Sequence, residues 1–288
     1  MESYKKIVRK VLDEGEWKFQ RAVDKDGNKL KTLSTTGYMF EHNMFNGFPL
    51  LTTKKMGMKM IAAELEFFIK GLSSKSWLQE RNCSIWDEWC NPQKVSDRTD
   101  HEAMKEEDDL GRIYGVQWRS WRTFGAMGNS KIDQFKNVLE TLKNDPTSRR
   151  MIVSAWNPAD LDSMALPPCH YGFQLLSDGH KVDLLWNQRS VDVGLGLPYN
   201  IASYALLLKL IARHVGMQEG KLIGFLADTH IYENHVPQLK EQITREEYSL
   251  PDLEITNEST DIFDWEYTDI KLSSNYKSHP PIKMEVAI

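Results

Sequence analysis

A single α+β domain, with a mixed β-sheet covered by helices, is predicted for this 288-residue chain by three observations. Helical periodicity runs through Met56 to Lys70, Ile132 to Lys143 and Ile201 to Val215. Between the last two, Tyr171 to Leu176 and Val182 to Gln188 read as strands joined by Ser177-Asp178-Gly179-His180, whose Asp-Gly pair marks a hairpin. No repeat or low-complexity linker divides the chain, so these elements share one domain over 1–288.

In chain order, Tyr4, Ile7, Val8, Val11 and Leu12 describe an amphipathic first helix over Met1 to Trp17, not a signal-peptide core. Asn91 to Asp109 is polar and ends in Lys105-Glu106-Glu107-Asp108-Asp109, which predicts a solvated surface loop or insertion. The segment from Ile132 presents Ile132, Phe135, Val138, Leu139 and Leu142 on one helical face. Ile201 to Val215 is apolar around most of its circumference, which predicts a central buried helix stopped by Gly216. Asp228-Thr229-His230-Ile231-Tyr232 alternates polar and apolar, placing His230 and Tyr232 on one face of a strand.

Composition narrows the function. A net charge of -5 argues against a nucleic-acid partner and leaves phosphate recognition to a local basic cluster. No apolar run approaches the roughly 18 residues that span a bilayer. Three cysteines, Cys83, Cys90 and Cys169, make a poor disulfide framework, which predicts a cytoplasmic protein with a free thiol. They and the eight histidines show no CxxC or HxxxH spacing, so no metal site is expected.

Candidate chemistry begins at Leu166-Pro167-Pro168-Cys169-His170, where two prolines force extended backbone into the cysteine. A thiol at such a rigid junction is a nucleophile where cations lower its pKa, and a small buried hydrophobe otherwise. Arg149 with Arg150, and Arg189 with Ser190, suit charge-assisted phosphate recognition or surface ion-pairing. Glu64 has Met60, Ile61, Phe67 and Phe68 as its helical neighbours, so it projects from a buried face. Burial raises a carboxyl toward the range useful for proton transfer, or makes it an internal hydrogen-bond anchor. Asn200, after Asp192-Val193-Gly194-Leu195-Gly196-Leu197-Pro198-Tyr199, reads either as a helix cap or as a carboxamide for a base edge.

Together these segments resemble thymidylate synthase, of the folate-dependent thymidylate synthase and pyrimidine hydroxymethylase superfamily. Leu166 to His170 is similar to that family's nucleophile segment, Gln188 to Tyr204 to its substrate segment, and Asp228 to His235 to its sugar-binding segment. Ile85-Trp86-Asp87-Glu88-Trp89, Tyr114-Gly115-Val116-Gln117-Trp118-Arg119 and Val286-Ala287-Ile288 follow family order, so the resemblance runs from about Gly47 to the end.

The resemblance implies a thymidylate synthase-like fold, a homodimer formed through one sheet face, and methyl transfer to dUMP from 5,10-methylenetetrahydrofolate without a metal. By the same resemblance, Cys169 adds to uracil C6 with its pKa lowered by Arg189. Arg189 and Ser190 bind the phosphate, with Arg149 and Arg150 reaching across from the partner subunit. Asn200 reads the uracil edge, His230 and Tyr232 the sugar, and Glu64 with Tyr114 manages protons. Asp192, Trp86, Trp89 and Ala287 face the folate.

The chain departs from the family's pattern at several places. Arg21, Lys29 or Lys31 must serve where many members carry an arginine in a Gly/Thr-rich turn. Gly194 replaces a usual phenylalanine, Ala227 a usual glycine, and Glu66 a usual apolar residue. The alternative product is hydroxymethylated: water takes the place of hydride, on dUMP or less readily on dCMP, for which an aspartate suits the site better than Asn200.

Overall fold

The computed structural model describes residues 1–90, 108–125 and 128–287. Its elements are α1 (Glu2–Glu14), β1 (Glu16–Val23), β2 (Lys29–Asn43), α2 (Met58–Lys70), α3 (Lys75–Gln79) and α4 (Tyr114–Arg119). Next come β3 (Trp121–Gly125), β4 (Gly128–Ile132), α5 (Gln134–Asn144), β5 (Ile152–Ser154), β6 (His170–Ser177) and β7 (Lys181–Asp192). The chain continues with α6 (Gly196–Val215), β8 (Gln218–Tyr232), α7 (Val236–Thr244), β9 (Leu253–Ile255) and β10 (Ile270–Leu272). This is the expected single α+β domain.

A six-stranded sheet in the order β1-β2-β8-β7-β6-β5 forms its centre. β7 and β8 pair in parallel and the other neighbours antiparallel, so the sheet is mixed. The parallel pair needs a crossover, which α6 supplies. Register aligns Phe40, Gly224, Trp186, Phe173 and Val153 across five strands, and all five are buried on the inner face. α6 packs on that face, as its all-round apolar surface predicts, and α2 packs on α6. Residues one step along point the other way. Met39 lies opposite Phe225 on this open face, with exposures of 56% and 44%, and Ile152 at the far edge is 56% exposed.

Several sequence boundaries move. The first helix ends at Glu14, because Gly15 is extended (φ -70°, ψ 149°), and Trp17 lies on β1 instead. Asp133 accepts from the Lys136 N–H (2.9 Å) and starts α5 at Gln134. Ile132 therefore closes β4 and is exposed, not part of a helical face. The Asn91 to Asp109 loop lies outside the described residues except for its last two. Asp108 there caps α3, accepting from the Ser76 N–H (2.6 Å) and the Ser74 hydroxyl (2.7 Å). No helix among the described residues is long and apolar enough to cross a membrane.

Gly115 decides how closely α4 approaches α2. A Cβ there would sit 2.2 Å from the Phe68 carbonyl oxygen and 2.4 Å from its Cα, and backbone cannot step aside as a side chain can. Gly115→Ala is expected to cost about 3 kcal/mol, seen as a lower denaturant midpoint at unchanged m-value.

Candidate active site

The hairpin predicted around Asp178-Gly179 forms, with Asp178 Oδ1 accepting from the His180 and Lys181 N–H groups (both 2.9 Å). It brings β7 back along β6, so Arg189 lies beside the residue just before β6, Cys169. The Arg189 N–H donates to the Cys169 carbonyl (2.9 Å), and its guanidinium donates to the Pro168 (3.0 Å) and Pro167 (2.9 Å) carbonyls. From the other side, the Cys169 N–H donates to the Tyr114 hydroxyl oxygen (2.8 Å). That leaves the Tyr114 proton free for an acceptor in the site. Cys83 and Cys90 are buried, and burial pushes their thiols up to about 12 and about 11. Cys169 is the one cysteine not fully enclosed.

Burial also raises the Cys169 pKa, and the Asp192 charge adds to this, while Arg189, Arg21 and a Ser190 hydrogen bond pull it down. Arg189 thus acts in the expected direction, and desolvation outweighs it in the chain as it stands. The same balance shows which basic residue of the N-terminal region is near. Arg21 acts on both Cys169 and Tyr232, whereas Lys31 stacks over Phe19 (4.9 Å) on β1.

Glu64 is 8% exposed and accepts from the Trp86 indole N–H (2.8 Å). Burial, opposed by that hydrogen bond, pushes its carboxyl up to about 7. It also acts electrostatically on Tyr114, which links it to the Cys169 wall. His170, absent from the sequence-predicted site, is pushed by burial down to about 3 and is neutral. It stacks on Tyr114 (4.2 Å between centroids) and shares a hydrogen bond with the Tyr204 hydroxyl (2.9 Å). Its signal was adjacency to Cys169 alone.

Asn200 is not a helix cap. Asp192 Oδ1 accepts from the Gly194 (2.9 Å) and Leu195 (3.2 Å) N–H groups, so the turn closes early and α6 starts at Gly196. Asn200 lies inside the helix with its Oδ1 accepting from Gln188 Nε2 (3.0 Å). Gln188, also missed, is marked in sequence only by strand alternation. His230 Nδ1 lies 3.4 Å from Asp228 Oδ1, and its ring meets Tyr232 edge-on (5.2 Å). The His230 hydrogen bond leads in holding Asp228 down at about 2.

Asp192, Trp86, Trp89 and Ala287 are expected to face a folate. Trp86 is buried; Trp89, Asp192 and Ala287 are half-buried. The Lys75 amine donates to the Trp89 carbonyl (3.1 Å), holding that turn against α3. Ile288 lies outside the described residues. Lys54, another residue missed in sequence, donates to the Gly194 carbonyl (2.6 Å) and is pushed by burial down to about 8. Gly194 has a reason to lack a side chain. A Cβ would lie 2.9 Å from His235 Nδ1 and 3.0 Å from Met284 Sδ. His235 is fully buried and donates from Nε2 to the Glu285 carbonyl (2.7 Å). Ala227 sits on the open sheet face across the ladder from Arg189. Glu66 faces away from the site, pairing with Lys70 (2.5 Å) and accepting from the Tyr267 N–H (2.7 Å).

Arg149 and Arg150 are not brought to Cys169. They are exposed in the loop before β5, and the register Ile152 to Gln174 puts them toward the Ser177 end of β6. Some seven residues along the strand is about 20 Å, beyond the reach of an arginine side chain.

The arrangement suits a group-transfer enzyme: a half-buried thiol, guanidiniums acting on it, a carboxyl poised near neutrality and an oriented carboxamide. A thymidylate synthase family model matches residues 2–288, and the chain belongs to that family. The match takes in the N-terminal region that the sequence motifs left out. The family comprises enzymes that methylate or hydroxymethylate dUMP with methylenetetrahydrofolate.

Two outcomes follow from this geometry. Glu64 has a folded pKa raised from 4.5 to about 7, so its stabilising contribution is present below pH 4.5 and lost as pH rises through 7. Glu64→Gln should abolish that pH-dependent loss, about 3 kcal/mol, in denaturation measured across the window. A glutamine amide reaches the position of histidine Nε2, and an asparagine amide that of Nδ1. His235→Gln should therefore keep the C-terminal segment docked, while His235→Asn releases it, with carboxypeptidase trimming about tenfold faster.

Proposed function

We propose that the chain catalyses reductive methylation of dUMP to dTMP, with 5,10-methylenetetrahydrofolate as cosubstrate and Cys169 as nucleophile. The observation that carries this reading is Cys169, its backbone held by Arg189 and Tyr114 and its thiol acted on by the Arg189 and Arg21 charges, with Glu64, at a pKa of about 7, acting on Tyr114. Arg21, Arg189 and Ser190 bind the phosphate through charge-assisted hydrogen bonds. His230 and Tyr232 hold the sugar hydroxyl.

Cys169 sulfur bonds to C6 of uracil, the ring π-electrons move to O4, and Asn200 stabilises that oxygen. C5 thereby becomes the nucleophile. When bound, the folate supplies the one-carbon unit and then the hydride. Glu64, which exchanges protons readily near neutral pH, and Tyr114 handle the proton at O4 and the one leaving C5. Expulsion of Cys169 restores the C5–C6 double bond. Asp192 suits a donor-rich pterin: Oδ1 serves its own turn, and Oδ2 makes no hydrogen bond among the described residues. Trp86, Trp89 and Ala287 would line the same side and exclude water, which favours hydride over hydration of the product.

The functional unit is a homodimer joined through the open sheet face of Met39, Phe225 and Ile152. Pairing supplies Arg149 and Arg150 of each chain to the phosphate of the other.

The test is a spectrophotometric assay with dUMP and the folate. Dihydrofolate formed in step with dTMP is expected; a hydroxymethylated nucleotide without dihydrofolate would favour the hydration alternative. Cys169→Ser should reduce turnover at least about a thousandfold while nucleotide binding persists, and retained turnover refutes the nucleophile.

A further inference from the structure

Three hydrogen bonds beneath the site run in one direction only. The Trp186 indole N–H donates to Gln188 Oε1 (3.1 Å). Gln188 Nε2 then donates to the Ser190 carbonyl (3.1 Å) and to Asn200 Oδ1 (3.0 Å). An indole nitrogen only donates and a carbonyl only accepts, so the two ends independently impose the same orientation on the Gln188 amide. A flipped Gln188 would set N–H against N–H at the indole and oxygen against oxygen at Ser190.

Because Gln188 cannot flip, Asn200 cannot either. Its oxygen is turned toward Gln188 and its amino group away. Both Trp186 and Gln188 are buried, so water does not compensate a mismatch. The indole itself is immobile. It stacks on Tyr204 of α6 (5.3 Å between centroids, 10° between planes), meets Phe40 (5.6 Å) and lies against Gly224 of β8.

We infer that Trp186, acting through Gln188, sets the base preference of the site by holding Asn200 with its amino group outward. This rests on the proposed placement of the base against Asn200. The outward amino group donates to a ring carbonyl, as at C4 of uracil. A 4-amino group in that place, as in cytosine, meets it donor to donor. Accepting the amine requires Asn200 to turn over, and the buried chain back to the indole forbids the turn. Trp186 touches neither substrate nor reacting atoms; it is a positioning residue for specificity.

The experiment uses full-length wild type, Trp186→Phe and Gln188→Glu, measuring binding and kcat/KM for dUMP and dCMP. Phenylalanine keeps an aromatic ring on Tyr204 but has no donor, so the amide pair is released. A carboxylate at 188 accepts at both oxygens and draws the Asn200 amino group inward, presenting its oxygen to the base. The dUMP-to-dCMP preference should fall at least about tenfold in Trp186→Phe and further in Gln188→Glu. A merely structural defect lowers activity on both nucleotides and leaves their ratio. If Trp186→Phe does not fold, Gln188→Glu alone decides. A wild-type preference preserved in the folded variants overturns the role of Trp186 and leaves the proposed function standing. Failure of the wild type to prefer dUMP overturns both.

Discussion

The Arg189 guanidinium donates to two successive carbonyls, Pro167 and Pro168, while its own backbone N–H donates to the next, Cys169. Three adjacent carbonyls are thus satisfied by one residue of the neighbouring strand. The prolines have no N–H to give and hold their own backbone extended, so this loop cannot rearrange into a turn of its own. The thiol inherits its position from that clamp. Tyr114 reads the same loop from the helical layer through the Cys169 N–H, and Tyr114 is where it is because α4 closes on α2 at Gly115. Sheet and helices therefore meet at one peptide unit.

Burial then decides the electrostatics. Desolvation raises Cys169 and Glu64 and lowers His170 and Lys54, so four ionisable groups lean toward their neutral forms. Against that background the cations of Arg21 and Arg189 stand out. A phosphate entering such a site would meet these guanidiniums in a poorly screened environment, with the Asp192 carboxylate as an opposing charge.

Some of this was legible in sequence and some was not, for separable reasons. Glu64 could be read because helical spacing alone surrounds it with Met60, Ile61, Phe67 and Phe68, and a carboxyl in that company is buried wherever the helix packs. The hairpin and the buried α6 followed from similar local rules. Asn200 was misread as a possible cap because the Asp192 side chain closes a turn at Leu195, ahead of the cap position that spacing suggests, a decision made by hydrogen bonds and not by propensity. Gln188, His170 and His235 lie in the motif segments, but local pattern gives none of them a role of its own. Their significance lies in partners 12, 34 and 50 residues away. The net pKa of Cys169 was equally hidden, since the sequence shows the cations but not the desolvation that outweighs them.

The open sheet face ties the remaining pieces together. Strand alternation puts Arg189 on the same side of β7 as Leu185 and Asn187, the side on which Met39, Phe225 and Ile152 are exposed. The Arg189 end of the site therefore lies at the margin of an uncovered apolar surface. Leaving such residues in water is unfavourable, and an exposed apolar strand face is a common interaction surface. Arg149 and Arg150 sit in the loop leading into β5, the edge strand of that same sheet, too far along β6 to serve their own Cys169. If a second copy covers the face about a twofold axis, what one copy lacks the other supplies, and reciprocally. Apolar burial would then drive the pairing, and charge complementarity at its edge would give each site the dianion clamp that one chain cannot assemble alone.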